Sequence, residues 1–153
     1  MTKEQLQGEL KKAMLARDVV KTSSLRMLIS AIGYYEIQKG GAGYTATDED
    51  ILAVVQKEAK KIKDSIEQFT NAGRNELVEK EKGELAILQT YLPEEMGEEE
   101  IRKLVTEAIS STGASTPADM GKVMGALMPS TKGKADGSLV SKIVKEELGK
   151  LLN

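Results

Sequence analysis

The side chains that could act on or hold a substrate are few. Ser23 and Ser24 are adjacent hydroxyls of the kind an amidase uses as a nucleophile. A serine attacks only when a neighbouring base takes its proton, and no histidine or serine–lysine motif accompanies this pair. Glu98, Glu99 and Glu100 are three consecutive carboxylates, but neighbouring residues on a helix point in different directions and do not converge on one ion. Gly121-Lys122 and Gly133-Lys134 each place a lysine after a glycine, as phosphate-binding loops do, yet both lack the preceding strand and the spacing of such a loop. What remains is binding chemistry: Lys122, Lys132, Lys134 and Lys142 concentrate cations near the end of the chain, with Gly133 letting the backbone come close to a phosphate. No residue is assigned a catalytic role, and no metal or cofactor is expected.

Composition narrows the classes further. The 153 residues hold no cysteine, which excludes disulfides, thiolate nucleophiles and zinc–sulfur centres, and no histidine, which removes the usual general base. One phenylalanine, four tyrosines and no tryptophan are too few to stack successive unpaired bases. The net charge of −2 is unevenly spread: residues 1–47 carry +3, residues 48–112 carry −7 and residues 113–153 carry +2. Two readings stand side by side: surface helices scatter charge on solvated faces, or one basic end faces a polyanion while the acidic middle faces solvent or a protein partner. No run of apolar residues is long enough to span a membrane, and the first residues lack the apolar stretch of a secretory signal, so no membrane partner and a cytoplasmic location are expected.

The elements that must position these residues all have helical period. Leu6, Leu10, Ala13 and Met14 mark the buried side of a first helix over 3–16. With Asp18 as its cap, a second helix over 19–39 turns Leu25, Leu28, Ile29, Ile32 and Tyr35 inward, and Arg26 beside that stripe is expected to form an ion pair in preference to an anion contact. The glycines of 40–43 predict a flexible loop. Thr47 and Asp50 form a capping box for a third helix to about residue 70, and Asn71-Ala72-Gly73 turns it into a fourth over 74–91, giving a long antiparallel hairpin. The lysines of the third helix, Lys57, Lys60, Lys61 and Lys63, read first as a solvated face, with a polyanion-binding stripe the alternative. Pro93 marks a module boundary. A fifth helix begins at the three glutamates and ends at Gly113, a sixth runs from Thr116-Pro117 until Pro129 closes it, and a seventh starts at Asp136. Gly121 and Gly125 share one face of the sixth, where each costs about 1 kcal/mol relative to alanine; close approach of a neighbouring helix is the favoured explanation and approach of an RNA backbone the other.

Three stretches carry a family resemblance: "RMLISAI" near the start, "NAGRNELVEKEKGELAILQTYLPEEMGEEEI" in the middle, and "MGKVMGALMP", "KGKADG" and "LVSKIVKEEL" at the end. They resemble the YqeY proteins, and the last is similar to the tail domain of the B subunit of tRNA-dependent amidotransferase. The resemblance implies an all-α protein, with a helical N-terminal module over 1–95 and a small three-helix module over 96–153. It also implies an accessory role with tRNA or another structured RNA as partner, and the sequence itself offers Lys122, Lys132, Gly133, Lys134 and Lys142 as the residues expected to meet its phosphates. The alternatives are a carbon–nitrogen ligase with glutamine as amide donor, for which no catalytic constellation is present, and an adaptor that binds a protein through the acidic hairpin.

Overall fold

A computed structural model describes residues 1–153 as seven α-helices and two short 3-10 turns, with no strand. The chain divides into two compact units, Met1–Leu92 and Pro93–Asn153.

The first unit contains α1 (Lys3–Leu15), α2 (Val19–Gly40), α3 (Asp48–Asn71) and α4 (Asn75–Gln89). Side-chain caps fix the starts of α1, α2 and α3. Thr2 accepts from the Gln5 N–H while the Gln5 side chain accepts from Thr2 N–H at 2.8 Å, Asp18 accepts from Lys21 N–H at 3.0 Å, and Thr47 accepts from Asp50 N–H at 3.2 Å. Two helix ends share one design: at α3 the N–H groups of Gly73 and Arg74 bond back to Thr70 and Phe69, and at α1 those of Arg17 and Asp18 bond back to Met14 and Ala13. The helices close around Leu6, Leu25, Leu28, Ile32, Ile51, Val55 and Leu88, each at most 1% exposed. Met14, expected inside, stands half-exposed: unlike Ala13 beside it, it lines an open groove, where its sulfur meets the Arg26 guanidinium at 3.9 Å. The glycine segment is also more ordered than expected: α2 continues through Gly40, and Gly41–Gly43 form a 3-10 turn closed by Tyr44 N–H bonding to Gly41 C=O.

The second unit contains α5 (Glu98–Thr112), a 3-10 turn at Pro117–Asp119, α6 (Met120–Thr131) and α7 (Gly137–Lys150) around Ile101, Val105, Val123, Ile143, Val144 and Leu148. Gly113 ends α5 in the left-handed conformation that a side chain would disfavour. Pro129 does not close α6, which runs on to Thr131. The ring leaves the Gly125 carbonyl without its usual N–H donor, but Gly125 and Pro129 both face solvent, so water can serve that carbonyl. The last turn is then held by Lys132 N–H to Met128 C=O at 3.0 Å and by the Thr131 hydroxyl to Leu127 C=O at 2.9 Å.

Candidate functional site

The turn between α6 and α7 places Lys132, Gly133 and Lys134 in succession. Lys132 leaves the helix with extended ψ, Gly133 adopts φ 82°, and Lys134 N–H bonds back to Thr131 C=O at 3.0 Å. The carbonyl of Lys134 accepts from Met96 N–H at 2.8 Å, tying the turn to the segment before α5. The backbone is therefore fixed from both sides while both lysine side chains stand in solvent. Neither has an acidic partner. Asp136, whose charge would repel a phosphate if free, is engaged: its Oδ1 accepts from Ser138 N–H at 2.8 Å as the cap of α7. The turn presents two fixed attachment points for cations, a glycine between them, and a capped helix start two residues on.

Lys142 is exposed on α7, about 9 Å along the axis from Asp136, the cap of that helix. Lys122 is exposed as well, but it lies at the opposite end of α6, about 15 Å along the axis from Lys132, beside Asp119. The structure thus groups Lys132, Gly133 and Lys134, sets Lys142 near them, and separates Lys122. The exposed side of α6 between the two ends is flat: Gly121, Gly125 and Ala126 face solvent, and a Cβ built on either glycine meets nothing within 4 Å. No neighbouring helix approaches them, contrary to the favoured expectation.

On α3 the lysines differ among themselves. Lys61 is committed to Glu58 at 2.6 Å, whereas Lys57 and Lys60 are exposed. The two serines do not act together: Ser24 is buried with its hydroxyl donating to Val20 C=O at 2.9 Å, and Ser23 faces outward. No three acidic side chains are placed to hold a metal. Arg102 satisfies three carboxylates, Glu147 at 2.6 Å, Glu98 at 2.9 Å and Glu146 at 3.0 Å, which holds its guanidinium charged and ties α5 to α7.

The densest polar cluster was missed in the sequence beyond its capping box. Asp50, 7% exposed, accepts at Oδ1 from Tyr35 and Lys39, both at 2.6 Å, and at Oδ2 from Tyr44 at 2.6 Å, the Thr47 hydroxyl at 2.9 Å and Thr47 N–H at 3.0 Å. The Lys39 ammonium sits 5.3 Å and 5.2 Å from the Tyr35 and Tyr44 ring centres. Lys39 first, then the two tyrosines and Thr47, hold the Asp50 carboxyl well below the usual carboxylate range. Its oxygens are fully occupied by the chain itself, so the cluster is an anchor joining α2 to α3. The tyrosine spacing across 35–44 was the only available signal, and it shows no period.

A family model described as "Yqey-like protein" matches residues 3–148. Among curated relatives, the chain is 37% identical over 147 residues to the "Altered inheritance of mitochondria protein 41, mitochondrial" of Pyrenophora tritici-repentis, covering 94% of this chain and 79% of that one. It is 30% identical over 125 residues to the protein of the same name in Saccharomyces cerevisiae, covering 78% and 66%, and 35% identical over 118 residues to that of Lachancea thermotolerans, covering 74% and 60%. The matched segment spans about two thirds of the yeast relatives' length. These names correct the expected cytoplasmic location, since the relatives are mitochondrial. The physical reason is that the absence of an apolar secretory stretch does not separate the two compartments: mitochondrial targeting segments are amphipathic and basic, not apolar. No helix of the structure is long and apolar enough to cross a membrane.

Proposed function

Since the chain belongs to the YqeY family, we propose that it is a non-catalytic accessory protein that binds structured RNA, with tRNA the expected class, through the α6–α7 turn of its second unit. The observation that carries this reading is the pair of solvent-exposed lysines without acidic partners, Lys132 and Lys134, held on a backbone fixed by hydrogen bonds on both sides. Phosphate oxygens are the ligand such a turn suits: two mobile ammonium groups on rigid attachment points, with Gly133 between them and Asp136 engaged as the cap of α7. Lys142 extends the cationic surface along α7, and the flat Gly121–Gly125 side of α6 leaves room for a backbone to lie close. The same geometry reads shape and charge, not bases, which agrees with the scarcity of aromatic side chains.

Fluorescence anisotropy with a labelled tRNA tests the reading. Lys132→Ala with Lys134→Ala is expected to weaken binding at least tenfold, and Lys57→Ala with Lys60→Ala less than threefold. Equal losses in the two double variants would move the interface to α3 and refute the assignment.

A further inference from the structure

α2 does not divide into an apolar and a polar side, and large apolar residues stand on its solvent face as well as in the core. One face is open. Val19, Ser23, Arg26, Ser30, Tyr34 and Ile37 recur at spacings of three and four, and all six are exposed. They form one stripe about 27 Å long. Its large apolar members are markedly uncovered, with Val19 at 78%, Tyr34 at 68% and Ile37 at 64% exposure, and small Ser30 lies between them. At its N-terminal end the stripe opens into a groove of about 470 Å³ lined by Met14, Arg17, Val19, Thr22, Ser23 and Arg26. The ion pair expected of Arg26 is not formed: its nearest partner is the Met14 sulfur at 3.9 Å. Arg17 has no acidic partner either.

Arg17 also holds an unusual backbone. It is the one non-glycine residue with positive φ, at 56°, occupying the position in the α1 end that Gly73 occupies, at φ 68°, in the hydrogen-bonded end of α3. Glycine is the low-energy residue there, and an arginine is strained by its Cβ. No intramolecular bond of its guanidinium offsets that strain, and the side chain projects at the groove.

We propose that the α2 stripe and the Arg17–Arg26 groove form a docking surface for an acidic amphipathic helix of a partner protein. The apolar side of that helix covers Val19, Tyr34 and Ile37, and its carboxylates pair with Arg17 and Arg26. The stripe has the length of about five helical turns, and a pair of unpartnered guanidiniums at one end demands negative charge there. RNA is the poorer occupant, because a phosphate backbone would leave the aliphatic side chains uncovered.

The probe is an 18-residue helical peptide with leucines at spacings of three and four and glutamates in its first two turns, titrated into the full chain and followed by amide NMR shifts. Shifts are expected along residues 17–37, with affinity falling at least tenfold when the glutamates become glutamine or the leucines become serine. Arg26→Ala is expected to lower affinity at least fivefold. Arg17→Gly is the discriminating variant: it should raise the melting temperature by roughly 4 °C, by relieving the strain, and still lower peptide affinity at least fivefold. A structural role for Arg17 would instead make stability and binding fall together. Peptide shifts spread elsewhere, affinity indifferent to both arginines, or a structured RNA shifting residues 17–37 in an arginine-dependent way would each overturn the proposal.

Discussion

A single carboxylate shows how differently the polar residues of this chain are employed. Asp50 gathers five donors on two oxygens and has none to offer a ligand, whereas Lys132 and Lys134 offer charge that nothing in the chain answers. The consequence for Asp50 is a pH dependence of definite sign. Its carboxyl is depressed in the folded chain, so the stability it contributes is present above the unfolded value of about 3.9 and is lost as pH falls below that toward the folded value. Asp50→Asn should lower the melting temperature at pH 7, and the gap to the parent chain should narrow below pH 4 as the parent's own carboxylate protonates. Thermal unfolding followed by circular dichroism from pH 7 to 2.5 measures this; a gap unchanged across the range would show that the charge of Asp50 is not what matters. The cluster was hidden in the sequence because it assembles Tyr35, Lys39, Tyr44 and Asp50 from two helices and the turn between them, and only the local Thr47–Asp50 box has a fixed spacing.

Helices were legible because their causes are local. Apolar residues at a period of 3.6 and side-chain caps at Asp18, Thr47 and Asp136 act over a few residues, and the observed α2, α3 and α7 begin where those caps stand. The errors came where a residue type was read without its surroundings. Pro129 sits inside α6 because its unserved carbonyl faces water, Gly121 and Gly125 pack against nothing, and the glycines of 40–43 form structured turns. Those last glycines are not equivalent. A Cβ on Gly40 would lie 2.7 Å from the Tyr44 Cβ, while one on Gly43 meets nothing within 4 Å. Gly40→Ala should therefore push Tyr44 from Asp50 and destabilise the first unit by about 1–3 kcal/mol, with Gly43→Ala within about 0.5 kcal/mol of the parent. Urea denaturation of the two variants decides it, and equal midpoints would mean that the Tyr44 contact is not under constraint.

Across the whole molecule, charge is the feature that composition shows and topology explains. The acidic middle of the chain makes up α3, α4 and α5, where many of its members are answered within the fold, as Glu58 is by Lys61 and Glu98 by Arg102. The smaller basic excess of residues 113–153 is left outward at the α6–α7 turn. A modest net charge of −2 thus coexists with a local group of exposed lysines at the turn proposed to bind RNA, and the polyelectrolyte nature of RNA gives that proposal a measurable signature. Each phosphate neutralised releases counterions, so the dependence of affinity on salt counts contacts more directly than affinity itself. The decisive measurement is the slope of log affinity against log salt for the parent chain and for Lys132→Ala with Lys134→Ala, taken with tRNA and with a structured RNA of unrelated sequence. Two phosphate contacts predict a slope shallower by roughly 1.5 to 2 units in the double variant, by the same amount for both RNAs. An unchanged slope in a variant that remains folded would contradict the assignment of the α6–α7 turn as the RNA-binding surface.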